Sequence, residues 1–282
     1  MMLAMGVATS HGVRGYSCAA LCLRSNDFVQ KRSQASYIRR SRTSLTASHW
    51  KEDLIRITTQ TIIGYGSLLS EKSARTTFPD LINFRHGRIR DYRRIFGHPG
   101  SIFFRNGIAD LATLQIAAVD AEYAPGNPGF VVSAFDIPSD EAADQPSIAF
   151  QKREAVYDFA KVPLISLDGT DSPEKNEGWI SVRSTDHGYI EKWGKERFLN
   201  QFVNYGVHTI WNWPPDSGML PCAVYLRHCY LAAKSGGLEC FESFLDESFL
   251  NDRMTTIRWY LEKNPHVLDA LPPPELLDRY NG

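Results

Sequence analysis

The stretch Thr61-Ile62-Ile63-Gly64-Tyr65-Gly66-Ser67-Leu68-Leu69-Ser70 constrains this chain more than any other. Its first half is β-branched and apolar, the composition of a buried strand. Two glycines then interrupt the run. Ser70-Glu71 reads as an N-cap followed by an acid in the first helical turn, opening a helix that Pro79 stops. A strand that passes through a glycine loop into a helix presents backbone N–H groups to an anion. A second stretch, Gln151-Lys152-Arg153-Glu154-Ala155-Val156-Tyr157, sets one carboxylate just ahead of the next strand. A carboxylate beside a bound ligand can move that ligand's protons. Together the two stretches predict a small-molecule site that grips a carboxylate and uses Glu154 as its base.

Residues 1–50 differ from the rest. They hold Arg14, Arg24, Lys31, Arg32, Arg39, Arg40 and Arg42 against Asp27 as the one acid, among many Ser, Thr and Ala. This is the composition of an organelle transit peptide, so a plastid or mitochondrial address is expected; a plain disordered arm is the other reading of 1–50, with cytoplasmic residence as the alternative address. The remainder, about 230 residues, suits one domain at 51–265 with a Pro-rich tail at 266–282. The segment 166–215 is long enough to be an insertion, a lid or a partner surface. A hydrophobic share of 43% supports a core, and a net charge of −1 points to no nucleic-acid surface. No run approaches the roughly 18 apolar residues of a membrane span. Cys222, Cys229 and Cys240 fall at helical-looking positions and read as buried, reduced thiols; with His228 they match no usual zinc spacing. The chain carries no sign of its oligomeric state.

Along the chain, Gly87–Phe96 reads as one strand with a solvated basic face of Arg88, Arg90, Arg93 and Arg94. Further strands are expected within 109–123, over 130–137, 157–165 and 178–183. Ser139 is a plausible cap for a helix over 140–153. From Gly188 the period turns helical. Ile190, Trp193, Phe198, Phe202 and Val203 form one face, and Leu226, Cys229, Tyr230 and Ala233 another, ended by Gly236-Gly237. Phe241, Phe244, Leu245 and Phe249 mark a third helix, and 255–261 a fourth. Pro272-Pro273-Pro274 predicts a stiff, extended tail. Mixed strands followed by helices argue for α+β.

Five segments, in order, resemble the γ-glutamylcyclotransferase-like superfamily with its ChaC-type and AIG2-like branches. Tyr65-Gly66-Ser67-Leu68 resembles its YGSL loop, and Asp91-Tyr92-Arg93-Arg94-Ile95-Phe96 its G-Y-R-R-x-F strand. Phe130–Phe135 stands where members have a strand. Arg153-Glu154-x-x-Tyr157 resembles the R-E-x-x-Y segment that bears the catalytic Glu, and Pro221–Leu226 a P-x-x-x-Y-L helix start. The resemblance covers 61 to about 261. Val156 departs from the Gly that ChaC-type members often carry there.

The resemblance implies a small, mixed, barrel-like β-sheet flanked by helices, with a helical C-terminal part. It implies intramolecular acyl transfer: the α-amine of a γ-glutamyl group attacks its own γ-carbonyl, yielding 5-oxoproline and a free amine. Glutathione, a γ-glutamyl amino acid or a γ-glutamyl amine would be the substrate. Glu154 would be the base. Gly66, Ser67 and Leu68 would grip the substrate carboxylate, Tyr65 would form a wall, and Tyr157 and Tyr225 would orient the γ-glutamyl group. Neither a metal nor an organic cofactor is needed. Each residue also has a plain reading: a tight turn for the glycines, a surface ion pair with Arg153 or Lys152 for Glu154, core packing for the tyrosines. His86, His98, His187 and His208 show no partner pattern and read as structural or surface residues. A non-catalytic metabolite- or protein-binding module on the same fold is the competing function.

Overall fold

The structure is a computed structural model that describes residues 58–139, 144–168 and 176–282. The arm at 1–50 and the start of the helix expected from residue 140 lie outside the described residues. Among the described residues ten strands and eight α-helices follow in chain order. The first half contains β1 (Thr59–Gly64), α1 (Glu71–Arg75), β2 (Ile82–Ile89), β3 (Tyr92–Pro99), α2 (Ser101–Arg105), β4 (Gln115–Tyr123), β5 (Phe130–Pro138) and α3 (Ile148–Arg153). Next come β6 (Asp158–Pro163), β7 (Ile165–Ser166), β8 (Glu177–Val182), α4 (Asp186–Trp193) and α5 (Lys195–Gln201). The chain ends with β9 (Leu220–Pro221), α6 (Ala223–Ser235), α7 (Leu238–Asp246), β10 (Ser248–Leu250) and α8 (Ile257–Lys263). Among the described residues no helix is long and apolar enough to cross a membrane.

The strands make two mixed sheets, one ordered β6-β8-β1-β5-β2-β7 and the other β10-β3-β4-β9. β1 lies between antiparallel β5 and parallel β8, and Ile62 and Ile63, which point to opposite faces of the sheet, are each fully buried in a separate apolar cluster. β8, from within 166–215, is thus an internal strand. With helices flanking both sheets, the class is α+β, as expected from the sequence.

The single strand expected over 87–96 is two. The chain turns at Asp91, whose φ of 63° is a left-handed conformation that Asp tolerates. Asp91 Oδ1 accepts from the Gly126 N–H at 2.7 Å, and the Asp91 N–H donates to Asn127 O at 3.0 Å. The turn sends β2 into one sheet and β3 into the other. At the facing Asn127-Pro128-Gly129 turn, a side chain on Gly129 would meet Ile89 O at 1.6 Å, so only glycine fits.

This turn also overturns the solvated basic face. Arg88 pairs with Glu247, but Arg94 is completely buried. Arg94 Nε donates to Ser248 Oγ at 2.7 Å, Nη1 to Tyr65 O and Val131 O at 3.2 Å each, and Nη2 to Ser243 O at 2.9 Å. Phe130 and Phe244 stack on the guanidinium at 4.7 and 5.2 Å. Burial lowers its pKa to about 10, which leaves it charged at neutral pH.

Other expectations shift for local reasons. The cap of α3 is Ser147, whose Oγ accepts from the Phe150 N–H at 3.3 Å, rather than Ser139. Pro146 disfavours helix in the residue before it, which sets the start. The strand expected over 157–165 divides into β6, paired with β8, and β7, paired with β2. The face expected from Ile190 to Val203 breaks at Gly194, φ 86°, into α4 and α5. Phe249 belongs to β10, parallel to β3, and not to a helix. Pro273 has the extended backbone expected of it, with ψ 147°, but the tail as a whole does not run out straight. It forms 3-10 turns at Pro265–Asp269 and Pro274–Leu276 and folds back until Tyr280 is 3% exposed. Asn106 Nδ2 donates to Tyr280 Oη at 3.0 Å, and the Gly282 N–H donates to His228 Nδ1 at 3.0 Å.

Candidate functional site

Three pieces of backbone converge on one cavity of about 630 Å³. The first is the turn after β1. Residues Ser67–Leu69 form a single 3-10 turn, and the leading N–H groups of such a turn have no acceptor inside it. Ser70 then caps α1, accepting from the Ser73 N–H. α6 packs against this turn. A Cβ on Gly66 would lie 2.8 Å from Tyr225 Oη and 2.8 Å from Val119 Cγ1. Gly66 is therefore required by the closeness of α6 and β4. A Cβ on Gly64 would lie 2.4 Å from Leu68 Cβ, so the loop is also folded tightly on itself.

The second piece is the end of α3. Phe150 is fully buried beside Phe78 and Phe159, with Ile62, Leu68 and Phe135 in the same cluster. Burying one such ring contributes about 1.5–3 kcal/mol and holds this short helix against the sheet. Glu154 ends the helix with φ −101° and ψ 43°. Its N–H donates to Phe150 O at 2.9 Å, and its carbonyl accepts from the Tyr157 N–H at 3.0 Å. Val156 is not among the residues with positive φ, so this turn does not demand a glycine there.

Arg153 joins the two pieces. Its Nε donates to Glu154 Oε1 at 2.9 Å, its Nη2 to Ser67 Oγ at 3.3 Å, and its Nη1 to Thr77 Oγ1. One guanidinium thus spans the carboxylate and the glycine turn. Glu154 pairs with Arg153, as the plain reading expects, but it is partly buried rather than on the surface, and it lines the cavity. In the sequence Arg153 stands out only as the residue before Glu154 in the R-E-x-x-Y segment.

The third piece is a set of tyrosines. Tyr65 Oη donates to Ser181 O at 2.8 Å, and Tyr157 Oη to Val119 O at 2.8 Å. The Tyr225 ring packs on Phe103 at 4.9 Å, with its hydroxyl over Gly66. Burial raises all three phenols well above 10.0, and the negative charge of Glu154 adds to each shift. They are neutral hydrogen-bonding walls grouped around Glu154. Leu68 is 5% exposed with its side chain in the apolar cluster, so its backbone is what it can offer a ligand. All seven residues singled out from the sequence line this one cavity: Tyr65, Gly66, Ser67, Leu68, Glu154, Tyr157 and Tyr225.

Several lining residues escaped the sequence. His98, set aside there as structural or surface, is 1% exposed and borders the cavity. Arg105, Lys152, Arg197 and Arg279 join Arg153 around it, against the acids Glu154 and Asp278, so the lining favours an anionic ligand. Asp278, Arg279 and Tyr280 come from the folded-back tail. Among the described residues no three His, Cys, Asp or Glu converge as metal ligands.

No family model matches the chain, and no curated protein matches it. Among solved structures, the chain is similar to one described as a gamma-glutamyl cyclotransferase, at 12% identity and a TM-score of 0.33, over 45% of this chain and 68% of that one. It is similar to an uncharacterized protein, loc79017 from Homo sapiens, at 14% identity and a TM-score of 0.32, over 50% and 85% of the two chains. It is also similar to At5g39720.1 from Arabidopsis thaliana, at 10% identity and a TM-score of 0.30, over 51% and 89%. Likeness of this size decides neither reaction nor substrate. What the site can do rests on its own groups: a buried-side carboxylate, a guanidinium beside it, a turn with leading N–H groups, and neutral phenols.

Proposed function

We propose that this chain cyclises a γ-glutamyl group, forming 5-oxoproline and releasing the attached amine, amino acid or peptide. The observation that supports this best is that Arg153 bridges Glu154 and the Ser67 turn on a single cavity. In this reading the substrate α-carboxylate sits against the N–H groups of Ser67 and Leu68, with the Ser67 hydroxyl and the Arg153 guanidinium beside it. The α-amine then lies near Glu154, which removes a proton from it. Attack on the γ-carbonyl closes a five-membered ring, and the C–N bond to the leaving group breaks with its electron pair on nitrogen. Both reacting groups are on one molecule, so folding the substrate supplies most of what proximity can. Glu154 returns a proton to the leaving nitrogen. The buried phenols of Tyr65, Tyr157 and Tyr225 shape the pocket around the folded substrate.

One observation favours a binding role instead: Glu154 already has a cationic partner in Arg153. A single experiment separates the two readings. Wild type and Glu154→Gln are incubated with glutathione, γ-glutamyl amino acids and γ-glutamyl amines, 5-oxoproline is followed by mass spectrometry, and binding is followed by calorimetry. Cyclisation predicts product from wild type only, with binding retained in the variant. Turnover by Glu154→Gln would remove Glu154 as the base. Binding without turnover by either protein would establish the binding module.

A further inference from the structure

The proposed reaction leaves one proton without a carrier. The attacking nitrogen enters as an ammonium and ends as a lactam N–H, so it sheds two protons. The leaving nitrogen enters as an amide N–H and ends in water as an ammonium, so it gains two. A carboxylate holds one proton at a time. Glu154 alone must therefore load and unload twice, or a second group must share the traffic.

The cavity contains a suitable group. His98, at the end of β3, is 1% exposed and borders the cavity, and Asp120 on β4 is fully buried behind it. His98 Nδ1–H donates to Asp120 Oδ2 at 3.3 Å. The carboxylate accepts only, so it fixes the tautomer with Nδ1 protonated and leaves the lone pair on Nε2. Nε2 bonds to no protein group among the described residues. The ring is clamped by Trp211, stacked at 4.5 Å, and by the edge of Tyr157 at 5.0 Å. Charged groups reach it from three sides: Asp120 from β4, Arg183 just past β8, and Glu154 from the turn after α3. Burial holds the imidazole below its ordinary value of 6.5, so it is neutral and able to accept. Asp120 favours the imidazolium once formed, and Arg183, which also holds Asp120, keeps that preference from becoming permanent.

We propose that His98, oriented by Asp120, is the second proton-transfer group of this site. This rests on the cyclisation reading above. Nε2 takes one of the two protons shed by the attacking nitrogen while Glu154 takes the other. Both return to the leaving nitrogen as its bond to the carbonyl carbon breaks, and the resting state is restored with no oxidant, reductant or co-reactant consumed.

His98→Asn tests this directly, because the asparagine amide can keep the Nδ1-side bond to Asp120 while deleting Nε2. A merely structural histidine survives that change and a proton carrier does not. The full chain is assayed as wild type, His98→Asn and His98→Ala, the last with and without added imidazole, using whichever γ-glutamyl compound the wild type turns over. The expected result is a kcat lower by about 100-fold in His98→Asn with KM little changed, and partial rescue of His98→Ala by imidazole. Unchanged kcat in a folded His98→Asn overturns the proposal, as does a loss confined to KM. If His98→Asn melts, His98→Ala decides: rescue supports the role, and failure of rescue overturns it. No 5-oxoproline from wild type would overturn the cyclisation reading and this proposal with it. An active wild type with an unimpaired variant would overturn this proposal alone.

Discussion

Replacing Gly66 with alanine tests whether the approach of α6 to the glycine turn is as close as described. The added Cβ would lie 2.8 Å from Tyr225 Oη and 2.8 Å from Val119 Cγ1, against ordinary contacts of 3.4–4 Å, so each neighbour must yield by about 0.6 Å. Val119 is buried on β4 and Tyr225 is partly buried on α6, packed against a core that has little slack. Overpacking of this kind costs about 1–3 kcal/mol. Alanine also stiffens the unfolded chain, a gain of about 0.4–1 kcal/mol, so the clash wins. At the middle of both ranges the net loss is about 1.3 kcal/mol, which lowers Tm by roughly 3–5 °C for a domain of this size. Thermal melts of wild type, Gly66→Ala, Tyr225→Phe and the double variant would measure it. Removing the Tyr225 hydroxyl takes away one of the two obstacles, so the double variant should be less destabilised than the two singles combined. A Gly66→Ala protein that melts within a degree of wild type would refute the reasoning, and so would strictly additive effects.

Other predictions follow from buried charge. His228 is held at about 4, first by burial and then by Arg153, Arg279, Lys72 and Arg227, against 6.5 when unfolded. Above 6.5 both states are neutral. As pH falls towards 4 the unfolded state takes the proton first, so stability drops, by about 3 kcal/mol in all. Between pH 7 and 4.5 the unfolding free energy from urea titrations should fall less in His228→Gln than in wild type, by most of that amount; an equal fall in both would contradict it. Arg94→Lys keeps the cost of a buried charge but loses the fork that reaches Ser248, Tyr65, Val131 and Ser243, and should cost about 1–3 kcal/mol by urea unfolding. Burial pushes Cys222 and Cys229 up to about 12 and Cys240 to about 11, so a thiol reagent at pH 8 should label none of the three until the protein is unfolded.

Some of the site was legible because its signals are local. β1 is written in consecutive β-branched residues, and the α1 cap in Ser70 and its neighbours. The reduced state of the three cysteines followed from helical spacing, and all three are free and buried. Glu154 stood out by lying between helix and strand. The 87–96 misreading has an equally local cause: Ile89 and Tyr92 are three apart, out of step with a continuous strand, and the left-handed Asp91 turn absorbs the mismatch.

What the tertiary structure alone decided depends on partners far along the chain. Arg94 looks like any surface arginine until α7 and β10 bring Ser243 and Ser248 to it, some 150 residues away. His98 gains a function only when the β3–β4 pairing sets Asp120 behind it and Trp211 closes over its face. The proline-rich tail reads as extended because prolines favour that locally, yet burial of Tyr280 against His228 and Asn106 draws it back to wall the cavity. The sequence by itself determined β1, the Ser70 cap and the place of Glu154 between a helix and a strand, because those follow from neighbours within a few residues. Which charges are buried, and which groups meet at the cavity, depends on the free energy of long-range packing, and no short window of sequence contains that term.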